Sequence, residues 1–124
     1  MAVVPIVPTK LSRGSHKWVW ETLLNGDTGG PLDPDGGGST FADKTVHVKG
    51  TFGVGGNVII EGSNDGVTWV TLTDPQGTAL NTITTETLEA ILENPLYIRP
   101  RVSAGDGTTD LDVILAGRAI LQLR

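Results

Sequence analysis

The 124-residue sequence predicts an all-β protein, an antiparallel β-sandwich or barrel with an extended N-terminal arm and at most one short helix. Three observations carry that expectation. Runs rich in Val, Ile and Thr recur with apolar and polar positions alternating, the two-residue period of a half-buried strand. Clusters of Gly, Pro, Asn and Asp separate these runs, and the chain holds 17 glycines and 7 prolines. Around residues 57–72, the β-branched run Val58-Ile59-Ile60 passes through Ser63-Asn64-Asp65-Gly66 into a second alternating run containing Trp69. Asn-Asp-Gly tolerates the positive φ of a tight hairpin turn, so this stretch reads as a hairpin.

Residues 1–16 are expected to be extended, because Pro5 and Pro8 fix their own φ and disfavour helix before them. Val3, Val4, Ile6 and Val7 make the segment too apolar for a solvated tail. It either pairs onto its own sheet or reaches a neighbouring subunit, and prolines that lack a ladder donor favour the arm. A single sandwich domain then covers residues 17–124. Residues 17–24 alternate, with Trp18, Trp20, Thr22 and Leu24 on one face. Two tryptophans on one strand face suit a core or a subunit contact better than a sugar platform.

Residues 25–40 are rich in glycine and proline and read as a long loop. Asp27, Asp33 and Asp35 lack the ligand spacing and terminal glutamate of a calcium loop, so no metal is assigned. Residues 45–50 form a strand with Val46 and Val48 inward and His47 outward, while His16 falls in a loop. No serine or carboxylate is fixed beside His47 by sequence and His16 sits in a Gly-Ser-His-Lys loop, so no catalytic residue is named. Phe52-Gly-Val-Gly-Gly lacks the Lys-Ser/Thr of a phosphate loop, and no cofactor is expected.

Asp74-Pro75-Gln76-Gly77 is a turn, followed by a strand over residues 78–84 with Leu80 alternating with Thr82. Residues 85–93 fit either a short helix or a strand ending at Glu93. In residues 97–103, Ile98, Pro100 and Val102 share one face and Tyr97, Arg99 and Arg101 the other. The internal proline predicts an edge or bulged strand. Arg99 and Arg101 are the candidate polar contact, since arginine binds carboxylates bidentately; solvation or pairing within the subunit is the competing reading. Asp106, Asp110 and Asp112 do not make a metal motif. Residues 111–123 close the chain as a long strand bent at Gly117, with adjacent Ile120 and Leu121 buried on both sides.

Acidic residues outnumber basic ones 14 to 9, for a formal charge of -5, which argues against nucleic acid as a partner. Cysteine is absent, excluding disulfides and thiolate metal sites. If the protein survives outside a cell, subunit contacts are expected to hold it. No apolar run approaches the roughly 20 residues that span a bilayer. The first residues lack a basic n-region and are broken by prolines, so neither a secretory signal nor a membrane partner is expected.

Over residues 45–118, three runs together resemble small structural proteins of tailed bacteriophages, above all head decoration (cement) proteins: Val-Ile-Ile-Glu-Gly-Ser-Asn-Asp-Gly-Val-Thr-Trp-Val-Thr-Leu, Glu-Asn-Pro-Leu-Tyr-Ile-Arg-Pro-Arg-Val and Gly-Asp-Gly-Thr-Thr-Asp-Leu-Asp-Val. The turn with Trp69 is also similar to discoidin-type sandwiches and to the sialidase Asp-box, though the residue that box places between Asp65 and Gly66 is absent. In all of these the turn residues Ser63, Asn64, Asp65, Gly66 and Trp69 are architectural.

The resemblance implies a jelly-roll-like sandwich and a non-enzymatic trimer on the outer capsid surface, made in the host cytoplasm and bound to the major capsid protein. Val3, Val4, Ile6, Val7, Trp18 and Trp20 would then serve contacts, with Arg99 and Arg101 towards an acidic neighbour. The alternative is a carbohydrate-binding or tail-tip module touching a host glycan through an exposed aromatic platform of Trp18, Trp20 or Tyr97.

Overall fold

The computed structural model describes residues 2–12, 14–32 and 41–118, with residues 10–12 as backbone only. The expectations for Asp33, Asp35, Ile120 and Leu121 lie outside these residues. Among the described residues there are ten strands and no helix: β1 (Val3–Val4), β2 (Ile6–Ser12), β3 (Ser15–Leu23), β4 (Thr28–Gly29), β5 (Asp43–Thr51), β6 (Asn57–Ser63), β7 (Val70–Thr71), β8 (Thr87–Ile91), β9 (Tyr97–Ala104) and β10 (Asp110–Arg118). They form two five-stranded sheets, a first in the order β1-β4-β9-β6-β7 and a second in the order β2-β3-β10-β5-β8. Every pairing is antiparallel except β1 with β4. The sheets face each other across one core, as a sandwich.

Alternation decides which side chains enter that core. Val58, Ile60, Ile98 and Val102 come from the first sheet, and Trp18, Trp20, Val46, Val48, Leu111, Val113 and Leu115 from the second. Burial of each aliphatic side chain is worth roughly 1.5–3 kcal/mol.

The N-terminal segment takes the course of pairing onto its own chain. β1 lies parallel to β4 in the first sheet, and β2 pairs with β3 in the second, with Pro5 between them. Ser15 and His16, expected in the arm or its loop, belong to β3. His16 packs against the rings of Trp18 and Phe41, and its buried Nδ1 has no hydrogen-bond partner among the described residues.

Alternation along β3 breaks after Trp20. Val113 pairs with Trp20 and Leu111 with Leu23, so Glu21 and Thr22 together oppose Asp112. Thr22 takes φ of 58°, uncommon for a β-branched residue, and its N–H donates to Asp112 Oδ1 at 3.0 Å. This bulge puts Leu23 in the core and leaves Leu24 46% exposed, the reverse of the simple alternation.

Part of the expected loop over residues 25–40 is sheet. Thr28–Gly29 forms β4, and Leu32 bridges to Ile98. The hairpin from β6 to β7 pairs Glu61 with Thr71, but its second strand is only two residues long and its loop runs over residues 64–69. Residues 78–84 make no continuous strand; single bridges Thr73–Ala79 and Val58–Ile83 suffice to bury Leu80 and Ile83. Residues 87–91 resolve as strand, paired with β5.

β9 is not an edge strand. It is the middle strand of its sheet, and Pro100 is tolerated because its missing donor falls on the side of the short β4. On that side Ile98 N–H donates to Leu32 O and Val102 N–H to Asp27 O, leaving a gap between them. The proline ring fills that gap against Gly29, where an added Cβ would lie 2.6 Å from Pro100 Cδ and 2.8 Å from Trp20 Cδ1. Trp20 Nε1 donates to Gly30 O at 2.7 Å, satisfying the indole. Gly117 is a paired residue of β10 rather than a bend; its lack of a side chain makes room for Trp18 and Phe41.

Candidate functional site

The outer face of the first sheet gathers the most distinctive polar group. β9 and β6 pair Arg99 with Glu61 and Arg101 with Ile59, so both arginines flank one carboxylate. Arg99 Nε lies 3.1 Å from Glu61 Oε1, and Arg101 Nε lies 3.3 Å from Glu61 Oε2. The Glu61 side chain is only 8% exposed, against 24% for Arg99 and 37% for Arg101. Trp69 folds back from the hairpin loop, and the Arg99 guanidinium sits 4.0 Å from its ring centroid. Each arginine spends its Nε on Glu61, and among the described residues the terminal nitrogens have no protein partner. The group carries two positive charges and one negative, on a chain of net charge -5.

The loop that delivers Trp69 is fixed by its own side chains. Ser63 Oγ accepts from the N–H groups of Asp65 and Gly66, and donates to Asp65 Oδ1 at 2.8 Å. Asp65 Oδ1 also accepts from Val67 and Thr68 N–H. The Thr68 and Val67 amides, with the Ser63 hydroxyl, hold the Asp65 carboxyl down to about 2. Gly66 takes φ of 75° and lies against the Tyr97 ring. Asn64 Oδ1 accepts from Leu96 N–H, tying the loop to the entry of β9.

Other carboxylates are used the same way. Asp106 accepts from the Thr108 hydroxyl, then from Val54 and Thr108 N–H, and these bonds also hold it down to about 2. Asp27 accepts from Ala2 and Leu24 N–H, and Asp74 from Gln76 and Thr78 N–H. Glu93 accepts from Thr73 N–H and from the Thr73 hydroxyl. The inward-facing Lys44 is treated likewise: its Nζ donates to Phe41 O and Asn94 Oδ1, and burial lowers its pKa against the opposing pull of Asp43. These side chains close loops.

Compared with known proteins, the chain matches no family model, no curated protein and no solved structure.

The residues singled out from sequence therefore separate. Arg99 and Arg101 come together, joined by Glu61 and Trp69, whose part in the cluster the linear sequence did not reveal. The usable signal was the strand period: it puts Glu61 on the outer face with Ile59, but only the register with β9 places it opposite Arg99. Trp18 and Trp20 are 0% and 1% exposed, so they serve the core and touch neither a neighbouring subunit nor a glycan. Tyr97 is half-buried, and one face of Trp69 is taken by Arg99, which leaves no open pair of rings for a sugar. Val4 and Ile6 pack against the protein's own core, whereas Val3 and Val7 remain 66% and 48% exposed. The described residues hold no cluster of three or more His, Asp or Glu side chains that could bind a metal.

Proposed function

We propose that this protein is a non-enzymatic structural component of a tailed-phage virion, a decoration or cement protein that binds the major capsid protein on the outer head surface. The jelly-roll-like winding implied by the family resemblance belongs to that proposal. The observation that supports it best is the Arg99–Glu61–Arg101 cluster. Glu61 and Trp69 hold both guanidinium groups before any partner arrives, so little side-chain freedom remains to be lost on contact. Their free nitrogens suit carboxylates of an acidic surface, recognised as planar forks. Carboxylates that cap backbone donors also fit a scaffold role better than acid–base chemistry. On a capsid, many such modest contacts add through multivalency rather than through one tight site.

Binding to heads that lack this protein tests the proposal. Arg101→Ala and the Arg99→Ala/Arg101→Ala pair are expected to lower head occupancy by about tenfold or more, with weaker salt dependence. Val54→Ala, at an 82% exposed position in the turn between β5 and β6, serves as the control and is expected to bind as the parent does. Full occupancy by the double variant, or equal loss in the control, would sink the reading.

A further inference from the structure

The outer face of the second sheet carries a row that crosses all five strands and is apolar except at His47, whose Nε2 lies 3.8 Å from Glu86 Oε1. The register sets Val7 beside Val19, Val19 beside Ile114, Ile114 beside His47 and His47 beside Leu88. Leu88 and Val7, at the two edges, are 67% and 48% exposed. Next to this row on one side lie Lys17, Ala116, Thr45 and Ala90, which are register partners of one another. On the other side lie Glu21, Asp112 and Lys49. One step further out along β10 are Arg118 at one end and Asp110 at the other.

We propose that this face stacks on the same face of a second copy of the chain, about a two-fold axis that runs along this row, across the strands. That operation lays each row residue on its own counterpart. It also brings Lys17 over Glu21 of the second copy and Arg118 over Asp110, each pair occurring twice. The small side chains of Ala116 and Thr45 then oppose the longer Asp112 and Lys49. Ala116, Thr45 and Ala90 already line part of a concavity of about 530 Å³ that can receive them. A two-fold axis along β10 is disfavoured, because it would set Asp112 on Asp112 and Arg118 on Arg118. Lys and Arg are long enough to follow the offset of about 30° between stacked twisted sheets.

Strands of 7, 9, 9, 9 and 5 residues, about 4.8 Å apart with a rise of about 3.3 Å per residue, present on the order of 600 Å² per copy, the lower end of the ~600–1,000 Å² each partner contributes to a specific interface. An isologous contact closes at two copies, so the face specifies a dimer rather than the trimer implied by the resemblance. The capsid reading is not needed for it.

Sedimentation equilibrium of the free protein at low salt tests this proposal, with circular dichroism to verify folding. The parent chain is expected at twice the 13.0 kDa of one copy. Val19→Lys should be monomeric. Lys17→Glu should weaken dimerisation by about tenfold or more, and Lys17→Glu/Glu21→Lys should restore it, because the swapped charges meet again across the axis. A monomeric or trimeric parent overturns the proposal. So does a dimer that ignores Lys17→Glu, or one that the double swap leaves as weak as the single. The swap keeps composition and net charge, so it decides the matter even if Val19→Lys fails to fold. No capsid is present, so the result is separate from that of the head-binding assay.

Discussion

At the scale of single residues, the protein relies on short polar side chains that answer backbone donors. Asp65 and Asp106 have folded pKa values of about 2 against an ordinary 3.8, because hydroxyl and amide donors surround their charged forms. A carboxyl depressed in the folded state stabilises above its unfolded value and loses that contribution as pH falls through its folded value. Stability should therefore decline between about pH 4 and pH 2. Asp65→Asn/Asp106→Asn should melt lower than the parent at pH 6 and lose less on going from pH 4 to pH 2. Parallel melting curves across that window would contradict the assignment. The Ser63–Asp65–Gly66 turn is legible because its chemistry is local: three neighbouring residues supply donor, acceptor and positive φ. Glu61 was not legible as a partner for Arg99, since 38 positions separate them and only strand register joins them.

At the scale of elements, alternation reads well wherever a strand is regular. Residues 45–50 and 97–103 present the faces their sequence predicts. It misleads at residues 21–24, where the two-residue bulge at Glu21 and Thr22 inverts the faces without any Gly or Pro to announce it. Pro100 misleads in the opposite sense: a proline signals an edge only if both neighbours need a donor, and β4 does not. The fit of Gly29 beneath Pro100 and Trp20 leads to a specific expectation. Gly29→Ala would place a methyl 2.6–2.8 Å from Pro100 and Trp20 atoms, forcing the middle strand to shift. A loss of about 1–3 kcal/mol is expected for such overpacking, read from the denaturation midpoint at constant slope. An unchanged midpoint would mean that β4 yields freely.

At the scale of the whole molecule, a chain without cysteine closes its loops with side-chain hydrogen bonds and sends its first strands into both sheets. Ala2 N–H donates to Asp27 Oδ1, Thr28 N–H to Ala2 O, and Gly30 N–H to Val4 O at 2.7 Å, while Ile6–Ser12 borders β3. Deleting residues 2–8 should therefore destabilise the protein by roughly 3–5 kcal/mol with no partner present, from lost hydrogen bonds and from the burial of Val4 and Ile6. Chemical denaturation of the free chain checks this; a full-stability deletion variant would show that the segment serves only a neighbour. The apolar content of the segment was legible, but its destination was not. A run of valines next to prolines fits an exposed edge of its own sheet as well as one belonging to another subunit.

The joint at Pro5 has a mechanical consequence. Force applied at the start of the chain enters both layers almost together: β1 loads the first sheet in parallel shear, and β2 loads the second along its edge. A cargo fused there would hang from a two-layer clasp, with the hydrogen bonds of Ala2 and Val4 as the first to part.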